Sequence, residues 1–160
     1  MTADTEGAPP RGYVLAFDFG LRRIGVAVGQ ATTCTASALQ TVANGREPDW
    51  AVIDRLLREW RPQLLLVGLP LGPDGDETPM STAARRFGGQ LHGRSGIAVE
   101  YCDERLSSRA AESRFAELRA AGGARRKHAD QLDAISAQII LENWLQSAHG
   151  RDPQPLHRRR

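Results

Sequence analysis

The order of strand-forming and helix-forming segments predicts an α/β domain built on a mixed sheet. Three strand-like segments come first, and helices and strands alternate after them. One later strand, Leu64-Leu65-Leu66-Val67, is apolar without alternation, as expected of a central parallel strand buried on both faces.

Tyr13 to Phe17 is a short run of strand formers ending in the turn Asp18-Phe19-Gly20-Leu21-Arg22-Arg23. Ile24 to Val28 follows as a second strand, so the two read as a hairpin. Ser37 to Ala43 is a weaker third strand closed by Asn44-Gly45. From Asp49 to Trp60, Val52, Ile53, Leu56, Leu57 and Trp60 recur at helical spacing, with Pro48-Asp49 as start and Pro62 as stop. Beyond the central strand lie a Gly- and Pro-rich loop, a helix over 80–92, a strand from Ile97 to Cys102, a helix from Ser108 to Ala121 and a longer helix from His128 to Ala148. Trp50, Trp60 and Trp144 read as helix and core residues.

With 160 residues, 41% of them apolar, the chain fits one domain, because a fold of this length buries roughly 70% of its unfolded surface and needs no disulfide or structural metal. The expected organisation is a disordered leader over 1–12, one domain over 13–148 and a basic disordered tail over 149–160. The longest apolar stretch, Leu64 to Leu71, is broken by Gly68 and Pro70 and is too short to cross a membrane. An N-terminus carrying Asp4, Glu6, Pro9 and Pro10 does not read as a signal peptide, so a cytoplasmic location is expected. Cys34 and Cys102 are read as structural thiols in strand segments. Of the formal net charge of +2, the tail carries +3 through Arg151, Arg158, Arg159 and Arg160 against Asp152, which leaves the body at −1. The tail could bind nucleic acid or be only solvated disorder.

Functional groups in open α/β sheets gather beyond the carboxyl ends of the strands. Asp18 follows the first strand directly, Gly68-Leu69-Pro70-Leu71-Gly72-Pro73-Asp74-Gly75 follows the central one, and Asp103-Glu104-Arg105 follows the strand ending at Cys102. Strands lie about 4.8 Å apart, so acids one or two strands from each other can share a rim. In the last helix Asp133 aligns with Ala137, Ile140 and Trp144 on an inward apolar stripe, with Asp130 one turn earlier. A carboxylate on such a face needs a hydrogen-bond partner or a cation. Oxygen donors without a Cys or His cluster suit Mg²⁺ or Mn²⁺ and argue against zinc. Two such ions about 4 Å apart can support phosphodiester hydrolysis without a nucleophilic side chain. Arg22, Arg23, Arg105, Arg125, Arg126 and Lys127 lie close in sequence to these acids and could hold a phosphate backbone. Each residue also has a plainer reading: Asp18 as a turn former, Asp103 to Arg105 as a surface ion cluster, Asp130 as a dipole-favoured acid, Arg125 to Lys127 as a solvated loop, and Gly68 to Pro70 as a chain reversal.

Taken as an ordered set, Asp18-Phe19-Gly20 with Arg22, Ile24-Gly25-Val26-Ala27, Val67-Gly68-Leu69-Pro70-Leu71 with Asp74-Gly75, Asp103-Glu104-Arg105-Leu106-Ser107, and Asp133 followed by Ile139-Ile140-Leu141-Glu142 closely resemble the YqgF family, also called RuvX. Its members are described as Holliday junction resolvases or pre-16S ribosomal RNA nucleases. The resemblance spans about residues 13 to 146 and implies an RNase H-like fold, a five-stranded mixed sheet with helices on both faces. It implies catalytic acids at Asp18, Glu104 and Asp133, which with Asp130 as an auxiliary ligand would hold Mg²⁺ or Mn²⁺. His128-Ala129-Asp130 with Asp133-Ala134 also looks like the end of RuvC-type resolvases, which makes His128 a phosphate or water contact. The candidate nucleic-acid contacts are then Arg22, Arg23, Gly68, Arg105, Arg125, Arg126, Lys127 and His128. Ser107 stands where many relatives carry Thr, and the leader and tail lie outside the resemblance.

The implied activity is that of a cytoplasmic, metal-dependent nuclease of structured nucleic acid, with ribosomal precursor RNA ahead of branched DNA and a ribosomal or processing partner. A Holliday junction resolvase and a non-catalytic nucleic-acid-binding or regulatory protein of the same fold remain as alternatives. The state expected is a monomer or weak homodimer, a stable dimer favouring paired cuts in DNA. An actin-like phosphotransferase also begins with an Asp-x-Gly hairpin, but Leu21 and Arg22 stand where that fold places Thr or Ser, and 160 residues hold only one such domain.

Overall fold

The computed structural model describes residues 12–103 and 126–146, and for 126–132 the backbone only. Five strands form one sheet in the order β3-β2-β1-β4-β5, with β1 at Tyr13–Phe19, β2 at Arg23–Gln30, β3 at Thr35–Ala43, β4 at Leu64–Leu69 and β5 at Val99–Asp103. β1 and β2 are antiparallel, as are β2 and β3, whereas β1, β4 and β5 run parallel. The sheet is therefore mixed. β4 is buried along its whole length because it has a partner on each edge and helices over each face, which explains its unbroken apolar run.

Strand alternation divides the core between the two faces. Leu15, Phe17, Ile24, Val26, Leu65 and Val67 pack beneath helices α1 (Trp50–Trp60) and α2 (Pro79–Ser95). Val14, Ala16, Ala27, Leu64, Leu66 and Cys102 pack beneath α3, Arg126–Trp144, through Ala137, Ile140, Leu141 and Trp144. Burying each large apolar side chain of this layer stabilises the fold by roughly 1.5–3 kcal/mol. Asp49 caps α1 by accepting from the Val52 amide, and α1 ends at Arg61 in the left-handed conformation, one residue before Pro62. Thr78 and Ser81 form a reciprocal capping box at the start of α2.

The expectation for the two cysteines changes at one of them. Cys34 is exposed and lies outside any strand, in the turn between β2 and β3 with φ 54°, because the chain reverses over Ala31 to Cys34 before β3 begins. Cys102 is buried as expected. The helix read over Ser108 to Ala121, the leader and the basic tail lie outside the described residues.

Gly25, Ala27 and Gly29 form a nearly smooth stripe on the face of β2 that meets α3. A Cβ at Gly25 would overlap the backbone carbonyl of Asp133, and one at Gly29 would overlap the Thr35 carbonyl and press on the Leu141 side chain. Glycine at these positions lets the helix lie directly on the strand. Gly89, in the interior of α2, faces open space instead. Gly25→Ala is expected to destabilise the protein by roughly 1–3 kcal/mol through overpacking, and Gly89→Ala to stabilise it by about 0.5–1 kcal/mol through helix propensity. Opposite shifts of the thermal midpoint in the two variants, measured by circular dichroism, check both.

Candidate functional site

The parallel strands β1, β4 and β5 deliver their carboxyl ends to one rim of the sheet, where Asp18 stands on β1. Asp18 is two residues beyond Ala16 and so shares the face that α3 covers. Its register partner in β2 is Gly25, the residue on which the Asp133 carbonyl rests. The missing side chain at Gly25 thus brings a turn of α3 beside Asp18. The strand end carrying Asp18 and the helix turn carrying Asp133, 115 positions apart in the chain, thus lie at one rim. Asp18 is half-buried, and Asp133 keeps a third of its side-chain surface exposed.

Asp133 is already engaged. Arg23, the first residue of β2, donates from Nε to Asp133 Oδ2 at 2.6 Å. The shared stripe accounts for this contact, since Arg23 lies two residues before Gly25 and faces α3 with it. The neighbouring hairpin tip exposes Leu21 and Arg22 to solvent. It is held from behind by Asn44, which is buried, donating from its side-chain amide to the Gly20 carbonyl at 2.6 Å and from its backbone amide to the Arg22 carbonyl at 2.9 Å. Sequence reading had placed Asn44 only as a turn former. Its burial next to the Asp18 hairpin makes it a positioning residue, and only its position immediately after β3 could have signalled that.

The other sequence candidates are distributed as follows. Gly68 is buried within β4, paired with Cys102, and the exposed part of its loop starts beyond Leu69. That loop is tied down by Thr78, whose hydroxyl donates to the Pro70 carbonyl at 2.9 Å, and by Gly72, which donates to Asp76. Glu77, just before α2, accepts from Arg85 at 2.8 Å and from the Ser81 hydroxyl, and these partners hold its carboxyl below the usual range. β5 ends at Asp103, one register step beyond Cys102, so the chain leaves this same rim one residue before Glu104. Glu104, Arg105 and Arg125 lie outside the described residues. Arg126, Lys127, His128 and Asp130 belong to the first turns of α3.

Among the described residues no group of three or more His, Cys, Asp or Glu side chains gathers as a ready metal cage. The pair Asp18 and Asp133 nevertheless fits a hard divalent cation by the chemistry of its donors. Mg²⁺ is commonly held by one or two carboxylates together with substrate phosphates and water. A cleft lined by Asp54, Leu57, Arg58, Arg94, Ser95 and Ile97 opens at the opposite, amino end of the sheet. Of its two arginines, Arg94 is committed to Asp54 at 2.8 Å and to the face of Trp50, 4.4 Å from the ring centre, and neither Asp18 nor Asp133 lines it. This cleft therefore lies apart from Asp18 and Asp133, and the acids carry more weight than it does.

A family model described as RuvX, Holliday junction resolvase, matches residues 12–147. A protein of Aeromonas hydrophila subsp. hydrophila named as a candidate pre-16S rRNA nuclease is 46% identical over 138 residues, covering 86% of this chain and 96% of its own. A protein of the same name from Pectobacterium atrosepticum is 49% identical over 137 residues, covering 85% and 96%. Among solved structures, RuvC of T. thermophilus in complex with a Holliday junction substrate superposes with a TM-score of 0.55 at 16% identity, covering 84% of this chain and 94% of that one. The yeast mitochondrial Holliday junction resolvase Ydc2 gives 0.52 at 10% identity, covering 87% and 80%. At these identities the two structures speak to the fold alone, which is the RNase H-like α/β fold of such resolvases.

Loss of the Asn44 side chain leaves the Gly20 carbonyl without its buried donor. Asn44→Ala is expected to lower stability by about 1–3 kcal/mol. Hydrogen exchange should accelerate selectively at the amides of residues 19–23, and uniform protection there would remove Asn44 from the positioning role.

Proposed function

The chain belongs to the RuvX family, a family of nucleases, and we propose that it hydrolyses phosphodiester bonds of structured nucleic acid at the rim where Asp18 and Asp133 meet. One observation supports this more than any other: the Gly25 register point, where the strand end that carries half-buried Asp18 lies beside the turn of α3 that carries Asp133. Two acids in such proximity repel unless a cation joins them, and hydrolysis of a phosphodiester uses a cation at the same place. Asp18 and Asp133, with Glu104 and Asp130 as further donors, would hold Mg²⁺ or Mn²⁺. Such an ion, when bound, supplies Lewis-acid stabilisation of charge on phosphate oxygens and makes a bound water more acidic.

The chain's own residues supply the rest. Asp18, paired with Gly25 of β2 and one residue beyond the last β1 residue in register with β4, is a rigid donor. Asp133 is equally fixed, because its backbone rests on β2. Arg22 and Arg23 offer exposed cations beside the acids, suited to orienting the phosphate backbone. His128, Arg126 and Lys127 in the first turns of α3, with Arg105 and Arg125, would extend this contact along the nucleic acid. Gly68, within β4, would serve by bringing the loop after it to the same rim. The substrate proposed first is the 5′ end of precursor 16S ribosomal RNA in the bacterial cytoplasm, since relatives at 46–49% identity carry that name. Cleavage of branched DNA is the second reading, favoured by the description of the family itself.

The test offers purified protein a ribosomal precursor RNA fragment and a four-way DNA junction in parallel, with Mg²⁺, with Mn²⁺ and with chelator. Chelator is expected to abolish cleavage. Asp18→Asn should reduce it by more than about 100-fold, since loss of even a supporting partner of a metal ligand costs 10–100-fold, while the thermal midpoint stays within a few degrees. Cutting of RNA supports maturation of the ribosomal precursor, and paired cuts in the junction support resolution. Wild-type rates from Asp18→Asn would place the chemistry elsewhere.

A further inference from the structure

We propose that Leu21 is an apolar wedge that takes the face of an unstacked base beside the scissile phosphate, an inference that rests on the nuclease function proposed above and adds a base contact to it. Leu21 is 69% exposed, the most open large apolar side chain among the described residues, and it belongs to neither core cluster. The next two, Tyr13 and Tyr101, are each 37% exposed and already packed. Tyr13 stands edge-on to Trp60, and Tyr101 lies under the Arg85 guanidinium with its hydroxyl donating to the Arg85 carbonyl. One exposed leucine is ordinary on a protein surface. Its place in the fold sets this one apart.

Leu21 is the middle residue of the link Gly20-Leu21-Arg22 between β1 and β2, at the rim that carries Asp18. Three peptide links of about 3.8 Å keep its Cα within about 11 Å of that of Asp18. At a rise of roughly 3.4 Å per nucleotide this is about three base steps, so a strand whose phosphate lies at the acids brings neighbouring bases to the tip. The link is also firmly backed. Asn44 holds the residue on each side of Leu21, through the Gly20 carbonyl at 2.6 Å and the Arg22 carbonyl at 2.9 Å. A Cβ at Gly20 would stand 2.6 Å from the Arg23 carbonyl oxygen, so the link closes tightly on itself. A wedge needs such support, because unstacking a base costs energy and a yielding tip would give way first. Arg22, exposed beside it, offers a cation to the phosphate backbone. A cation and an apolar side chain on adjacent residues suit a polymer of phosphates and base faces, and leucine is among the side chains that enter base steps. The shared chemistry is an accessible base face, which the single-stranded arm of an RNA and the branch point of a DNA junction both present.

The test reads base stacking directly and without turnover. The base analogue 2-aminopurine, whose fluorescence rises when it leaves the stack, is placed where the duplex of an RNA hairpin meets its single-stranded arm and, in a second probe, at the branch point of a four-way DNA junction. Both probes are titrated to saturation in chelator with wild type, Leu21→Ala, Leu21→Met and Arg22→Gln. Wild type is expected to raise the fluorescence of at least one probe. Leu21→Ala should lose that rise and bind about three- to tenfold more weakly, as loss of most of a covered leucine side chain predicts, with the salt dependence of binding unchanged. Leu21→Met, apolar and of similar volume, should keep the rise. Arg22→Gln should keep the rise at saturation while the slope of log affinity against log salt falls by about one, as for a lost phosphate contact. A rise from one probe alone supports the wedge and identifies its source as RNA or DNA. An undiminished rise from Leu21→Ala, a salt slope for it that falls as that of Arg22→Gln does, or wild-type binding without a rise from either probe overturns the wedge and leaves the nuclease proposal standing. Failure of the wild-type protein to bind either probe overturns both.

Discussion

The close approach of α3 to β2 at Gly25 is the constraint on which the rest of the rim depends. A helix normally stands off a sheet by the thickness of two layers of side chains, which would carry Asp133 away from the strand ends. Here Gly25, Ala27 and Gly29 remove most of one layer, and the Asp133 carbonyl settles against the strand itself. Asp18 is the register neighbour of Gly25, so the same missing methyl group that seats the helix also brings the turn carrying Asp133 to the strand end carrying Asp18. The apolar contacts of Ala137, Ile140, Leu141 and Trp144 supply the burial that keeps the helix there.

That arrangement places negative charge beside a hydrophobic layer, and the protein manages it by geometry more than by depth. Asp18 and Asp133 sit where the core ends, both partly open to solvent, so neither carries the full desolvation cost of a buried ion. Arg23 offsets part of the charge at a point the strand stripe dictates. Exposed ion pairs of this kind contribute about 0–1 kcal/mol, little enough that the fold survives their opening. A buried salt bridge would behave differently, since its opening would strand a charge in low dielectric.

The hairpin between β1 and β2 shows how the scaffold supports this exposed chemistry from behind. Its tip carries Leu21 and Arg22 into solvent, yet its main chain is tied to Asn44 by two hydrogen bonds that close over a buried amide. The loop after β4 is likewise tethered through Thr78, and Glu77 anchors the same stretch to Arg85. Exposed residues on rigid backbone lose little entropy when they meet a ligand.

Much of the architecture was legible in the chain alone. The unalternating run Leu64 to Val67 placed a doubly covered strand, the spacing from Val52 to Trp60 placed α1, and the inward stripe Asp133, Ala137, Ile140 and Trp144 placed the last helix and its acid. These signals are local, because strand burial and helix amphipathicity are written with periods of two and 3.6 residues. What the tertiary structure alone decided were contacts between segments distant in the chain. Gly25 read as an ordinary residue of a strand, Asn44 as a turn former and Cys34 as part of a strand, since nothing in their neighbours reports which helix, carbonyl or turn will come to lie against them. The partner of Asp133 was decided in the same way. Several arginines lie near the acids in sequence, but only the folding of α3 across β2 brings Arg23, 110 residues away, within 2.6 Å of that carboxylate.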